Sequence, residues 1–370
     1  MAGLYFHIPF CKCICAYCDF YKSADLRRMD DVLAAMHREL AARRGYLGGE
    51  PVRTRYFGGG TPSLCTPQQL GSLLEHAAEL YDCTAVEETT LEANPDDLNG
   101  PYLDALRRTG IDRLSIGIQS LDDACLRLMN RRHTASQAVE AVRNARAAGF
   151  DNLTVDLIFG VPGFGGDSLR RTLDGVLALE PEHVSAYHLT VEPDTAFGRR
   201  AARGEFVPVG EEVSEEEFLT VHQTLTRAGY EHYEVSNYAL PGRRARHNAA
   251  YWHGSKYLGI GPAAHSYDGC ERHWNAASVD RYAAGEAAGR EMLTDCDRFN
   301  EYLLTRLRTA EGIDLAEAGR LFGEPRRAEL ERQARGMRSS GMVRLAQGRI
   351  SVPPERFLVS DAVIGALFEE

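Results

Sequence analysis

The first two-thirds of the chain alternate between short β-rich runs and longer helical runs. Within the helical runs, apolar residues recur three or four positions apart, which is the spacing of one helix face. This alternation predicts a parallel sheet, because parallel strands need crossover connections and these are usually helices. The predicted strands are Leu4–Ile8, Arg55–Gly58, Thr89–Glu92, Arg113–Ile118, Leu153–Phe159 and Val184–Leu189.

Local sequence signals mark where several of the intervening helices begin. Thr66 and Thr134 are each followed three residues later by a glutamine, the pattern of a capping box. Gly149 is placed to end the helix that Thr134 starts, since glycine adopts the backbone conformation that closes helices. Ser214 followed by Glu217 predicts a further helix with the same kind of start.

The number of strand–helix units favours a barrel over a doubly wound sheet. The alternative would be a dinucleotide-binding sheet, but no G-x-G-x-x-G pattern follows the first predicted strand. We therefore predict an α/β fold, a partial (β/α)6 barrel of the TIM type.

From about residue 297 the pattern changes to helices followed by a short β-hairpin. The predicted helices and hairpin strands are Arg298–Leu307, Leu315–Leu321, Glu329–Ser339, Met342–Leu345 and Arg349–Val352. This order resembles a winged-helix unit. We predict a barrel over residues 1–235, an extension of the barrel over 236–296 and a small winged-helix-like C-terminal domain over 297–370.

Composition restricts the classes of function. The net charge of −11 disfavours a nucleic-acid partner, which normally requires a basic face. We find no apolar run of about 18 residues that could span a membrane. The segment Met1–His7 lacks the basic start of a signal peptide, so we expect a cytoplasmic protein.

Four cysteines lie close together near the start of the chain. Cys11, Cys15 and Cys18 form a C-x-x-x-C-x-x-C pattern, with Cys13 inside it. Thiolates hold iron–sulfur clusters, and a [4Fe–4S] cube needs four ligands, so three cysteines would leave one iron open. The alternative is a zinc site that uses Cys13 as its fourth ligand, although one residue between thiolates is tight for tetrahedral zinc.

Polar residues and glycines recur where the predicted strands end. The second strand ends in Gly58-Gly59-Gly60-Thr61-Pro62, and glycines let the backbone approach a ligand closely. Glu92, Gln119 and Asp156 belong to the segments that close the third, fourth and fifth strands. Since the carboxyl ends of barrel strands share one face, we expect these residues to line one polar cavity.

Together, the cysteine pattern, the glycine loop and the strand-end residues resemble the radical-SAM superfamily, over essentially the whole chain. The resemblance implies a [4Fe–4S] cluster on Cys11, Cys15 and Cys18 that cleaves S-adenosylmethionine (SAM) by one-electron reduction. The residues implied to hold or adjoin SAM are Gly59, Gly60 and Thr61 at the methionine part, Glu92, Gln119, Arg131 and Asp156 at polar groups, Ile158 near the adenine and Tyr5 beside the cluster.

Two segments narrow the resemblance further, Tyr5-Phe6-His7-Ile8-Pro9-Phe10-Cys11 and Tyr17-Cys18-Asp19-Phe20. Within this superfamily they resemble the branch of oxygen-independent coproporphyrinogen III oxidase (dehydrogenase) and the related HemW haem chaperones. The dehydrogenase pattern has a further cysteine two residues after the third ligand, where this chain has Phe20. The cysteines also begin nearer the start of the chain than in the dehydrogenase. Both features favour the chaperone, with dehydrogenase activity in porphyrin biosynthesis as the alternative. RNA modification is disfavoured by the acidic charge.

The segment His247-Asn248-Ala249-Ala250-Tyr251-Trp252 matches the H-N-x-x-Y-W element of the chaperones. The resemblance implies that His247, Asn248, Tyr251 and Trp252 bind haem, with His247 as the iron ligand; His253, His265 and His273 are rival ligands. Histidine is a common axial ligand, and aromatic rings can lie against the macrocycle. The implied partners are haem and haem-acceptor proteins, respiratory proteins among them, at the periphery of a membrane. Whether the chain forms a homodimer stays open.

Overall fold

The computed structural model describes residues 2–286 and 289–369, and its central feature is one twelve-stranded sheet. Within these residues the strand order is β12-β11-β10-β9-β1-β2-β3-β4-β5-β6-β8-β7. The strands of this sheet are β1 Ala2–Ile8, β2 Val52–Gly59, β3 Glu88–Ala93, β4 Arg113–Gln119, β5 Leu153–Phe159, β6 His183–His188, β7 Glu231–Glu234, β8 Asn237–Ala239, β9 Lys256–Ile260, β10 His265–Tyr267, β11 Glu271–Trp274 and β12 Gly289–Met292.

Strands β1 to β6 pair in parallel in chain order, and β9 pairs in parallel with the other edge of β1. In the described part of the chain the two ends of the sheet do not pair, so the barrel is open. The helices of this part are α1 Met29–Ala42, α2 Pro67–Leu80, α3 Gly100–Arg107, α4 Asp123–Leu128, α5 Ala135–Ala147, α6 Gly166–Leu177, α7 Ala196–Ala202, α8 Glu211–Arg227, α9 Arg246–Trp252 and α10 Val279–Ala283. The predicted partial barrel is confirmed.

Side chains on the barrel strands divide by the two-residue period of a strand. On β1, Leu4, Phe6 and Ile8 belong to the main hydrophobic core, and Phe6 stacks on Phe57 of β2 with ring centroids 4.5 Å apart. Tyr5 and His7 alternate with them and hydrogen-bond each other. The apolar face of the strand therefore packs against the helices. The other face presents polar side chains.

Two of the three predicted helix starts are confirmed. Thr66 and Thr134 each form a complete capping box with the glutamine three residues on. The start predicted at Ser214 is wrong, because α8 begins at Glu211 and Ser214 lies inside it. The Ser214 hydroxyl instead lies 3.0 Å from Nε2 of His188, and the carboxylate of Glu217 accepts a hydrogen bond from the Gly160 N–H at 2.7 Å.

The C-terminal part consists of helices around a small antiparallel sheet of order β13-β15-β14. Its elements are α11 Asp295–Arg306, β13 Ile313–Asp314, α12 Leu315–Phe322, α13 Glu324–Met337, β14 Arg344–Ala346, β15 Arg349–Ser351 and α14 Ser360–Leu367. The hairpin turns at Gln347 and Gly348, which both have positive φ, as a two-residue hairpin turn requires. Buried residues here, such as Ile350 and Phe357, join the core of the barrel.

The division predicted at residue 235 falls between the paired strands β7 and β8, so the barrel and its extension share one sheet. The three-part division itself stays a prediction. Among the described residues, no helix combines the length and hydropathy needed to cross a membrane.

Candidate functional site

A cavity of about 500 Å³ opens at the carboxyl ends of the barrel strands. Its lining joins the cysteine segment after β1 to the ends of β2, β3, β4, β5 and β6. The residues predicted from sequence that line it are Cys11, Cys15, Cys18, Gly59, Gly60, Thr61, Glu92, Gln119, Arg131, Asp156 and Ile158. We call this space the cysteine cavity. Residues spread over nearly 150 positions of sequence thus meet, because parallel strands end on one face.

Two of the three cysteines, Cys11 and Cys15, have thiols that contact residues of the cavity wall. The Cys11 N–H donates to Ser23 O at 3.0 Å, and its buried thiol accepts a hydrogen bond from the Thr61 hydroxyl at 3.5 Å. Arg131 donates to Cys15 Sγ at 3.3 Å. Burial raises the pKa of the Cys11 and Cys18 thiols, so in the empty protein these groups resist ionisation. A bound metal would reverse this preference, since a coordinating thiol loses its proton.

Cys13 also lines the cavity, but it contacts a different partner. Its Sγ lies 3.2 Å from Nδ2 of Asn130. Within the described part of the chain, no three His, Cys, Asp or Glu side chains are grouped closely enough to hold one metal ion. The thiolates of an iron–sulfur cluster bind separate irons and need not be grouped around one ion.

The glycine loop packs directly on the cysteine segment. Gly60 N–H donates to Ile8 O and Thr61 N–H donates to Phe10 O, both at 2.8 Å. A Cβ on Gly60 would lie 2.7 Å from Phe10 O, which explains why this position requires glycine. The loop thereby brings backbone groups to the wall of the cavity.

Two buried carboxyl groups lie deeper in the cavity. Glu92 accepts hydrogen bonds from the Tyr56 hydroxyl at 2.7 Å and from the Gly59 N–H at 3.2 Å. Burial raises the pKa of Glu92 to about 7. Asp156 accepts from Ser115 at 3.1 Å, and burial raises its pKa too. Glu92 can therefore exchange a proton near neutral pH, and both side chains can form hydrogen bonds with a polar ligand.

Two polar side chains at the site have atoms without a partner. Gln119 Oε1 and Arg131 Nε are buried and make no hydrogen bond to any described residue. Gln119 also adopts a left-handed backbone with φ +62°, a strain that is common at functional sites. Arg131 Nη2 donates to Asn94 Oδ1 at 2.6 Å and to Gly117 O at 2.5 Å. Unsatisfied polar atoms beside glycines fit a polar ligand with an amino-acid part, as SAM has.

Tyr5 lies outside the cysteine cavity, although the sequence predicted it beside the cluster. It lines a neighbouring cavity of about 380 Å³, which we call the aromatic cavity. The residues lining this second cavity are Tyr5, His7, Asp19, Phe20, Tyr21, Tyr251, Tyr257, Ala263 and His265. Asp19 and Phe20 line both cavities, so the two spaces adjoin.

The H-N-x-x-Y-W element lies in α9. Glu88, the first residue of β3, accepts the backbone N–H groups of Arg246 and His247 at 2.9 and 3.0 Å. His247 is 2% exposed. Its Nδ1 lies 2.8 Å from Thr54 Oγ1, and its Nε2 lies 2.9 Å from the Tyr251 hydroxyl.

Neither ring nitrogen of His247 is free in this conformation, so iron ligation by His247 would require both of these contacts to break. Burial lowers the pKa of His247 to about 3, so its ring is neutral. Asn248 is half-buried, and the buried indole N–H of Trp252 has no partner among the described residues. Of the four residues, Tyr251 lines the aromatic cavity.

Sequence reasoning missed several residues of the cysteine cavity. Asn94 links Arg131 to the glycine loop, since its Nδ2 donates to Thr61 Oγ1 at 3.3 Å. Tyr187 and His188 close β6 and line the same wall. The signal was present in the sequence, because Asn94 follows Glu92 closely and β6 ends in polar residues, but the prediction did not use the end of β6.

Comparisons with known proteins agree along the whole chain. The family model of the radical SAM superfamily matches residues 5–176. The chain is 36% identical over 375 residues to the heme chaperone HemW of Mycobacterium tuberculosis (strain ATCC 25618 / H37Rv), covering 99% of this chain and 94% of the relative. It is 30% identical over 379 residues to the heme chaperone HemW of Bacillus subtilis (strain 168), covering 100% of both.

A solved structure is similar over nearly the same length. Coproporphyrinogen III oxidase (HemN) from Escherichia coli, described as a radical SAM enzyme, superimposes with a TM-score of 0.84. The alignment covers 99% of this chain and 90% of that one, at 23% identity. At this identity the similarity concerns the fold.

Proposed function

Because the chain belongs to the HemW haem-chaperone family within the radical SAM superfamily, we propose that it binds haem and passes it to acceptor proteins. The observation that carries the proposal is that the similarity to haem chaperones spans the C-terminal part as well as the barrel. Similarity to these relatives in the barrel alone would support no more than radical chemistry, because one fold serves many functions.

The family implies a [4Fe–4S] cluster and SAM, and the cysteine cavity fits both. Cys11, Cys15 and Cys18 would hold the cluster, whose chemistry when bound is one-electron reductive cleavage of SAM. The residues that would hold SAM are Gly59, Gly60 and Thr61 at its methionine part, Glu92, Gln119, Arg131 and Asp156 at its carboxylate and ribose, and Ile158 at its adenine. The unpaired Gln119 Oε1 and Arg131 Nε support this assignment.

The chain's own residues would orient such a ligand. The glycine loop presents backbone groups at the cavity wall, and Arg131 places a cation between Cys15 and Asn94. Glu92 is oriented by the hydrogen bond that it accepts from the Tyr56 hydroxyl. A rigid polar lining of this kind is already oriented before the ligand arrives, which lowers the cost of binding.

The alternative function is that of an oxygen-independent coproporphyrinogen III dehydrogenase. The fold similarity to coproporphyrinogen III oxidase favours it. Phe20 argues against it, because this position offers an apolar ring, 67% exposed, where the dehydrogenase pattern has a cysteine. We therefore place the chaperone first.

The finer points of the partner assignment stay proposals. Respiratory proteins are the acceptors we consider first, reached at the periphery of a membrane, and a homodimer is compatible with the fold. The family relationship supports haem and an acceptor protein without naming the acceptor.

One experiment separates the two functions. Protein reconstituted anaerobically with iron and sulfide is titrated with haem, and then incubated with coproporphyrinogen III, SAM and a reductant. We expect stable haem binding and no protoporphyrinogen. Sustained conversion of coproporphyrinogen would overturn the chaperone assignment, as would failure to bind haem.

A pair of cysteine variants provides the control for the cluster. Cys15→Ser should lose iron and sulfide after reconstitution, whereas Cys270→Ser, at an exposed position of the extension, should retain them. Equal iron content in the two variants would contradict the assignment of the cluster ligands.

A further inference from the structure

The aromatic cavity is separated from the cysteine cavity by Phe20, which lines both. Its walls come from β1, from the segment after the cysteines, from α9 and from β9 and β10. The rings of Tyr251 and Tyr257 meet edge to face there, with centroids 4.6 Å apart. A space bounded mainly by aromatic side chains suits a flat, largely apolar molecule.

His265, at the start of β10, is the exposed histidine of this cavity. Its ring stacks on Trp274 with centroids 6.2 Å apart and planes 28° apart. The side chain makes no hydrogen bond to any residue in 2–286 or 289–369. It therefore has a defined orientation and unoccupied ring nitrogens, the two conditions for a ligand that binds metal.

The other histidines near this cavity are already engaged. His7 contacts the Tyr5 hydroxyl at 3.0 Å and Tyr21 O at 3.1 Å through its two nitrogens. His247 uses both of its nitrogens as well, on Thr54 and Tyr251. Packing around the ring lowers the pKa of His265, and Arg272 lowers it further, so the imidazole is neutral at pH 7.

One cationic side chain, that of Arg281, lines a cavity next to His265. A smaller cavity of about 300 Å³ shares Ala263 and His265 with the aromatic cavity and is also lined by Trp274 and Arg281. Arg281 forms an ion pair with Glu286 at 2.5 Å and is exposed, so its guanidinium can also contact a carboxylate of a bound ligand. A ligand with an apolar plane and carboxylates at one edge matches this distribution, and haem has that form.

We propose that haem binds in the aromatic cavity with its iron ligated by His265. The macrocycle lies against Phe20, Tyr251 and Tyr257, and its propionates extend toward Arg281. The inference rests on the proposed haem-chaperone function and locates its haem site, on the far side of Phe20 from the cluster cysteines.

This assignment gives the H-N-x-x-Y-W element an indirect part. His247 holds the Tyr251 hydroxyl at 2.9 Å, and Tyr251 forms a wall of the aromatic cavity. His247 is then a positioning residue, and its replacement should weaken haem binding without removing the axial ligand.

The test uses haem titration of the full chain, followed by absorption and electron paramagnetic resonance spectra. His265→Gly should weaken haem binding by at least about tenfold, the loss that even second-sphere partners of metal ligands can cause, and should remove the imidazole-ligated signature. Added imidazole should restore that signature, which a merely misfolded variant could not do. His253→Gly, at an exposed histidine that caps α9, is the matched control and should bind as the wild type does.

The outcomes separate the two proposals. A wild-type chain that fails to bind haem overturns the chaperone function. A wild-type chain that binds haem, with an unchanged spectrum in His265→Gly, overturns only the His265 assignment. His265→Ala repeats the test with a residue better suited to a strand, and His247→Gln should keep the axial signature while lowering affinity. Loss of that signature in His247→Gln, with His265→Gly unaffected, would assign the iron to His247 instead.

Discussion

Gly60 joins the glycine loop to the cysteine segment, and its replacement by alanine tests how closely the two pack. The added Cβ would lie 2.7 Å from Phe10 O, 2.8 Å from Ile8 O and 2.8 Å from Phe10 N. All three are backbone atoms, which cannot rotate away as a side chain could. The loop must therefore move from β1.

We expect this overpacking to cost about 1–3 kcal/mol in free energy of unfolding. For a chain of 370 residues that corresponds to a fall of about 1–4 °C in melting temperature. The Thr61 hydroxyl, which contacts Cys11 Sγ, would move with the loop. We therefore also expect less iron to be bound after reconstitution.

The assay is calorimetry of the metal-free protein together with its iron content after anaerobic reconstitution. Gly45→Ala is the matched control, because that glycine is exposed, has no positive φ, and a Cβ there would meet nothing within 4 Å. If Gly60→Ala matched Gly45→Ala in both measurements, the close packing of the loop would be refuted.

Two further predictions concern the polar lining. Burial raises the pKa of Glu92 from 4.5 to about 7, so the native protein keeps a proton that the unfolded chain loses over this pH range. The resulting stabilisation, at most about 3 kcal/mol, is present below pH 4.5 and lost as pH rises through 7. In denaturant titrations, the free energy of unfolding of Glu92→Gln should not show this loss. Parallel pH profiles of the unfolding free energy for the wild type and the variant would contradict the prediction. Arg131→Ala should weaken SAM binding by the reconstituted protein about 10–100-fold in calorimetric titration. Arg132→Ala is the matched control, because the Arg132 side chain pairs with Asp96, and it should not weaken SAM binding. Equal affinities of the two variants for SAM would exclude a role for Arg131.

Much of the barrel could be predicted because its signals are local. The strand Leu153–Phe159 was predicted with its observed bounds, and the capping boxes at Thr66 and Thr134 depend on groups three residues apart. The helix start predicted at Ser214 was wrong because the side chains concerned make contacts that are not local. Its hydroxyl contacts His188 and the Glu217 carboxylate contacts Gly160, and neither partner is near in sequence.

The convergence of the cysteine cavity could also be predicted, since it follows from a general property of parallel sheets. Once Glu92, Gln119 and Asp156 were placed at strand ends, the common edge of the sheet brought them together. The hydrogen bonds within the cavity could not be foreseen. The part that Asn94 plays depends on its hydrogen bond with Arg131, which is 37 positions away in sequence.

The sequence by itself determined the class of the protein: a partial barrel, three cysteines placed for a cluster, and polar residues at the strand ends. These features depend on periodicity, local capping and fixed spacing, which can be recognised without knowing the contacts between distant residues. Only the tertiary structure decided which histidine is available to a ligand. His247 belongs to a recognisable motif, yet folding buries it between Thr54 and Tyr251, whereas His265 remains exposed against Trp274. The reason is physical: a ring nitrogen can bind iron only if no neighbour already holds it, and those neighbours come from remote parts of the chain.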